Sequence, residues 1–179
     1  MPEAARGLVE GDRRSIWPIL VSGGLAIALL GAGFLRPAPR LIYNATASAP
    51  VGLYRVLTGA PLQRDDWVLA QTPASVRGLA AVRGYLPAGV PLIKRLAALP
   101  GDTVCVAAEI VSIDGTVVAR RLAADRRGRR LPGWSGCHVL GVSEVFLLTA
   151  AAPDSFDGRY FGPTPASDVI GRLVPLWHS

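Results

Sequence analysis

Lysine is almost absent from this chain. Among 179 residues there is one, Lys94, against eighteen arginines. Arginine stays protonated in proteins, whereas lysine loses its proton when burial in an apolar site lowers its pKa by several units. A chain that uses arginine everywhere else is expected to place lysine where only a deprotonatable amine serves. The plainer alternative is a lone surface lysine in an arginine-biased composition. Histidine is nearly as scarce. His138 follows a cysteine and His178 sits beside the C-terminus, so neither is a persuasive base. Cysteine occurs twice, at Cys105 and Cys137, and neither has a partner at metal-ligand spacing. No metal and no cofactor is expected. If the domain lies outside the cytoplasm, a Cys105–Cys137 disulfide is expected, worth about 3–4 kcal/mol on the loop-entropy model. The alternative is two buried free thiols.

What the chain has in excess is apolar residues, half of the total. Ile16 to Leu35 is a run of twenty residues without a charge, long enough to cross a hydrocarbon core of about 30 Å. It is expected to be a retained transmembrane helix; a cleaved signal peptide, with its usual apolar region of about 7–15 residues, is the rival. Arginines at 13, 14, 36 and 40 flank the run evenly and do not orient it. The expected organisation is a cytoplasmic segment 1–15, the helix 16–35, a stiff Arg36-Pro37-Ala38-Pro39 linker and one domain over 40–179. The net charge is +6, much of it from Arg120, Arg121, Arg126, Arg127, Arg129 and Arg130. That run has no interleaved aromatics and sits among Asp125, Gly128 and Pro132. It predicts a solvated face or contact with anionic lipid headgroups rather than nucleic-acid binding.

The domain is expected to be mostly β, built of short antiparallel strands. Strands are expected at Gly52–Leu57, Trp67–Gln71, Val90–Leu99, Thr103–Ala107, Ile110–Ile113, Val117–Ala119, Glu144–Thr149 and Val169–Leu176. Asp114-Gly115 reads as a hairpin turn, and Pro100-Gly101-Asp102 as a stop. Pro73 to Gly84 reads as a short helix with a partial apolar face of Val76, Leu79, Ala80 and Val82. Ala150 to Gly158 reads as a loop. Lys94 falls inside the apolar run Val90–Leu99, where a neutral amine would serve as a general base. The nucleophile it would serve is Ser48, followed by Pro50 and Gly52, which force a turn and a close backbone approach. Serine with a lysine base is an established form of nucleophilic catalysis.

Four blocks in order carry a family resemblance. They are Asn44 to Tyr54 around Ser48, Leu92 to Asp102 around Lys94, the Asp125–Cys137 stretch D-x-x-G-R-x-L-P-x-W-x-G-C, and Asp154 to Pro163. Behind an apolar N-terminal run, they resemble the type I signal peptidases, membrane-anchored Ser-Lys proteases. The chain is most similar to the conjugative-transfer branch of TraF type. The resemblance implies a signal-peptidase-like β domain and catalysis by Ser48 and Lys94. The Ser48 backbone N–H and the Thr46 hydroxyl would hold the oxyanion, unless Thr46 merely caps a turn. Ser155 would orient the lysine amine. Asp157 and Arg159 would be a supporting ion pair, unless they are an ordinary surface pair. The chain departs from general signal peptidases at Ala49-Pro50, at Ala150-Ala151-Ala152-Pro153 and at Gly158, where that family usually has serine. These departures favour a dedicated conjugative enzyme.

The functions in contention are therefore a peptidase maturing a pilin precursor, a general preprotein signal peptidase, and a non-catalytic membrane-anchored assembly protein. A soluble self-cleaving Ser-Lys protease conflicts with the apolar run. The expected partners are a membrane-anchored precursor and the lipid bilayer. The expected location is the bacterial inner membrane, with the catalytic domain in the periplasm. Ser48 lies thirteen residues beyond Leu35, at most about 45 Å of extended chain, so the nucleophile is expected near the bilayer surface.

Overall fold

The computed structural model describes Trp17, residues 20–24, 39–46 and 48–178. Trp17 and residues 20–24 are helical, and among the described residues no helix is long and apolar enough to cross a membrane. The rest of the expected 16–35 helix, and the 1–15 segment, lie outside the described residues. The sheets all fall in the compact unit Ala38–Ser179.

Two antiparallel sheets make up this unit. The larger runs in the order β1 (Leu41–Asn44), β2 (Gly52–Leu57), β11 (Val169–His178), β3 (Trp67–Ala70), β4 (Leu92–Ala98), β9 (Glu144–Leu147) and β10 (Thr164–Pro165). The smaller runs β7 (Thr116–Arg120), β6 (Ile110–Ile113), β5 (Thr103–Ala107) and β8 (Gly136–Val139). The fold is mostly β, as the alternating apolar runs predict. Central β4 is covered on both faces, which is why it reads as a continuous apolar run. Ile93 packs with Ala49, Tyr54, Val56, Leu69 and Leu173, while Leu92 and Leu96 pack with Val68, Ala70, Val145 and Leu147. A third cluster joins the sheets through Ala98, Phe146 and Leu148 against Val104, Val106 and Val111.

The helix α1 spans Ala74–Arg83 and ends at Gly84, whose φ of 72° is left-handed. Glycine takes that conformation without a Cβ clash. The expected apolar face is only partly right: Val76 and Ala80 are buried, but Val82 is 89% exposed. Strands β1, β8 and β10 carry no usable pattern. All four residues of β8 are exposed, and its place is set by pairing Cys137 opposite Cys105. A Cys105–Cys137 disulfide staples that pair. The expected 150–158 loop runs straight into α2 (Gly158–Phe161), which Asp157 caps by accepting the Arg159 backbone N–H.

Gly158 marks a close approach. A Cβ there would sit 2.7 Å from the Leu147 carbonyl oxygen and 2.8 Å from the Phe146 ring. Gly158→Ala is therefore expected to force α2 off β9 and to destabilise the protein by about 1–3 kcal/mol. The check is a thermal melt followed by circular dichroism; an unchanged midpoint would contradict this packing.

Candidate active site

Ser48 lies in the short loop between β1 and β2, and one residue organises that loop. Asn44 is buried, and its Nδ2 donates to the carbonyls of Thr46 (2.9 Å), Ala49 (2.9 Å) and Pro50 (3.0 Å). Its Oδ1 accepts the Thr46 backbone N–H at 3.1 Å and the Thr46 hydroxyl at 2.8 Å. The Tyr54 hydroxyl donates to Pro50 O at 2.6 Å. Ser48 Oγ lies 3.1 Å from Thr46 Oγ1. Because Thr46 spends its proton on Asn44, the Ser48 hydroxyl is the donor in that contact. Thr46 thus orients Ser48 and has no free proton for an oxyanion in this arrangement.

Neither Asn44 nor Tyr54 stood out as a functional residue in the sequence. The available signal was an asparagine at a strand end before a turn. Asn44→Ala is expected to leave three carbonyls without their side-chain donor, to cost about 1–3 kcal/mol, and to slow acylation of Ser48. Thermal melts and the rate of labelling by a serine-directed acylating reagent check both halves.

Lys94 is a buried residue, 5% exposed, not a surface lysine. On β4 it stands opposite Val68. Its Nζ donates to Ser155 Oγ at 2.6 Å. Burial is the leading cause that lowers its pKa to about 8 from 10.5; Arg159 lowers it further, while Asp157 and Asp154 pull it back up. A group poised near 8 is available as a neutral base at mildly alkaline pH.

The pair Asp157 and Arg159 is also buried, at 0% and 1% exposure, where an ordinary surface pair would be solvated. Arg159 Nε donates to Asp157 Oδ1 at 2.8 Å, and its two terminal nitrogens also reach the carbonyls of Thr149, Ala152, Pro153 and Arg120. Asp157 Oδ2 accepts the Thr149 backbone N–H at 3.0 Å. The pair therefore closes the turn 149–157 on which Ser155 rides.

A groove of about 830 Å³ lies between these parts, with Ser48 and Ala49 on one wall and Thr149, Ala150 and Ala151 of the Ser155 turn on another. The residues Trp67, Arg95 and Ala97 also line it. The guanidinium of Arg95 stacks over Trp67 at 4.6 Å. Small side chains, Ala49, Ala150 and Ala151, line it along with the charged Arg64, Asp65 and Asp114. Lys94 itself is not among the lining residues, although its neighbour Arg95 is. The structure thus unites Thr46 with Ser48, Lys94 with Ser155, and Asp157 with Arg159. Among the described residues, no hydrogen bond joins Ser48 to Lys94. His138 is occupied elsewhere, 2.7 Å from Glu144. Among the described residues no three His, Cys, Asp or Glu side chains cluster as metal ligands.

The arginine run departs from a uniformly solvated face. The Arg129 Nε donates to Asp125 at 2.7 Å and one of its terminal nitrogens to Arg83 O at 3.1 Å. Arg121 donates to the carbonyls of Ala108 and Trp134. These guanidiniums bind backbone and carboxylate because the folded chain offers those acceptors nearby; Arg126 and Arg127 remain exposed.

The site thus combines a buried amine bonded to Ser155 with a groove beside Ser48, in a mostly β domain. The family model described as signal peptidase, peptidase S26, matches residues 13–177, and the chain belongs to that family. Its relatives include two proteins called plasmid transfer protein TraF from Escherichia coli. One is 34% identical, with the match covering 88% of this chain and 93% of that protein. The other is 38% identical, covering 88% and 92%. A conjugal transfer protein TraF from Agrobacterium fabrum is 35% identical over 89% of this chain and 90% of its own length. Among solved structures, a signal peptidase I from Enterococcus faecalis aligns with a TM-score of 0.40 at 22% identity, covering all of that chain and 66% of this one. A signal-peptidase-like role follows from the family.

Proposed function

We propose that the protein is a membrane-anchored serine endopeptidase that removes leader peptides from exported precursors by a Ser48–Lys94 dyad. The observation that carries this reading is the sole lysine, buried on β4 with its amine on Ser155 and its pKa near 8. Ser48 Oγ attacks the scissile carbonyl carbon as its proton passes to neutral Lys94 Nζ. The Ser48 backbone N–H steadies the oxyanion. The C–N bond then breaks, and the departing amine takes the proton from Lys94. Water attacks the resulting ester, Lys94 accepts the water proton, and Ser48 leaves with that proton restored. For the amine to take the serine proton, Ser48 must exchange its Thr46 contact for Lys94 when substrate enters. Catalytic hydrogen bonds commonly close only in the substrate complex.

The relatives' names favour a precursor used in conjugal transfer, such as a pilin, over the general pool of secreted proteins. The alanine-lined groove suits small side chains at the cleavage site. Anchorage through residues 16–35 and a periplasmic catalytic domain complete the proposal. They agree with a disulfide-bonded unit. One observation favours a non-catalytic assembly role instead, the lack of a direct Ser48–Lys94 contact.

A serine-directed acylating inhibitor separates the two. Intact mass is expected to show one adduct on Ser48 in the wild type and none in Ser48→Ala. An unlabelled wild type, or precursor cleavage by Ser48→Ala, would overturn the peptidase reading.

A further inference from the structure

The stretch from the end of β7 toward β8 takes no direct part in the chemistry, yet it holds the Ser155 turn and the start of α2 at several points. Arg159 donates to Arg120 O at 3.1 Å. The Leu122 backbone N–H donates to the Tyr160 hydroxyl at 3.0 Å. Arg126 pairs with Asp154. A further link runs through Asp125, which accepts the Tyr85 hydroxyl at 2.6 Å, Arg129 Nε at 2.7 Å and the backbone N–H groups of Arg127 and Arg129. The Tyr85 hydroxyl is the leading cause that holds the Asp125 carboxyl far below the usual range.

Tyr85 is itself fixed. It follows the helix-ending Gly84 and donates its backbone N–H to Ala80 O. Its ring lies 5.0 Å from that of Phe156. On its other sides Phe156 stacks on Tyr160 at 5.8 Å, with planes 9° apart, and meets Phe161 edge-on at 5.7 Å. Phe156 is the residue between Ser155 and Asp157. Both aromatic flanks, Tyr85 and Tyr160, are tied to residues 122–125.

We propose that the 120–131 segment, through Asp125 and Tyr85, clamps Phe156 and so positions Ser155 Oγ against Lys94 Nζ. Tyr85 and Asp125 are thus positioning residues, since neither touches the lysine or the serine. The chain allows little slack: adjacent Cα atoms are about 3.8 Å apart, so Phe156 cannot shift without carrying Ser155. A misplacement of about 1 Å at a catalytic group can cost on the order of 100-fold in rate. The link to catalysis rests on Lys94 as the base; the positioning of the amine does not.

The test uses the full chain in detergent micelles. Because Lys94 is the only lysine, biosynthetic 13C-lysine labelling yields a single side-chain resonance whose pH midpoint reports this amine alone. Tyr85→Phe removes only the hydroxyl and is the mild variant; Asp125→Asn is the stronger one. In Tyr85→Phe, kcat is expected to fall about tenfold with KM within about twofold, as a purely positional loss requires. The resonance midpoint is expected to move up from about 8, because burial is what depresses it and a loosened cover admits water. The charges facing the amine, Asp154, Asp157 and Arg159, are unchanged in both variants. In a Ser155→Ala background, Tyr85→Phe is expected to add little further loss of kcat, since the hydroxyl it positions is already gone.

An unmoved midpoint in folded Tyr85→Phe, or an equal fold-loss of kcat with and without the Ser155 hydroxyl, overturns the proposal. Should Lys94→Met still cleave while Tyr85→Phe moves the midpoint, the base reading falls and the positioning stands. Should Lys94→Met be inert while the Tyr85→Phe midpoint stays put, the base reading stands and the positioning falls.

Discussion

Lys94→Arg is expected to fold and yet to cleave nothing, and Lys94→Met likewise. General-base participation typically contributes about 10²–10⁴-fold, and a dyad fails as a unit. Each variant should therefore match Ser48→Ala, and the double mutant should be no worse. Arginine cannot present a neutral nitrogen, and methionine presents none. The two differ in stability. The folded pKa of Lys94, about 8, lies below the free value of 10.5. The folded state therefore binds the proton less readily than the unfolded one. Stability rises with pH between those two values and is lowest, by this group, below pH 8. At about 1.36 kcal/mol per pKa unit the burial penalty is on the order of 3 kcal/mol. Lys94→Met should recover much of it below pH 8, and its advantage should vanish as the pH climbs through 8 toward 10.5. Lys94→Arg keeps the penalty and adds bulk. Wild-type activity should rise with a midpoint near 8 and then level off. Peptide cleavage and thermal melts across pH 6–11 check both halves. Turnover by a folded Lys94→Met would remove lysine from the mechanism.

The largest loss of stability is expected from Arg159→Met. Breaking a buried ion pair by removing one partner typically costs about 3–5 kcal/mol, because the other charge is left uncompensated. Here Asp157, at 0% exposure, would be left with two backbone N–H groups as its remaining donors. Four carbonyls in and around the turn, those of Arg120, Thr149, Ala152 and Pro153, would lose a donor as well. The turn carrying Ser155 should then loosen first, so cleavage should fail at temperatures where the sheets remain intact. Removing both charges, as in Asp157→Leu with Arg159→Met, should cost less than the sum of the single changes. Circular dichroism melts of the four proteins in detergent decide it. A shift in Arg159→Met no larger than that of an exposed arginine, such as Arg127→Met, would refute the buried-pair account.

Composition and local pattern determined much of this protein without reference to its folded form. One lysine in an apolar run marks a candidate base, because burial lowers the pKa of an amine. Alternation places β2, β5 and β6, whose buried side chains recur every second residue, and short continuous apolar runs place β4 and β9, which bury neighbouring residues. A serine before Pro50 and Gly52 marks the candidate nucleophile. What only the tertiary structure decided is where the polar groups end up. Lys94 and Ser155 are 61 residues apart. Tyr85 and Asp125 are 40 apart. No local periodicity encodes such pairings, which depend on two sheets and a helix closing around one core. The burial of Arg159 shares that cause, whereas the hold of Asn44 on the Ser48 loop and the Asp125–Arg129 pair are local, between residues two to six apart. A polar side chain reads as surface until the fold surrounds it, and hydrogen-bond partners then become a matter of survival in low dielectric. Strand β8 shows the same dependence in the backbone: with every residue exposed, it is a strand because β5 offers it an edge.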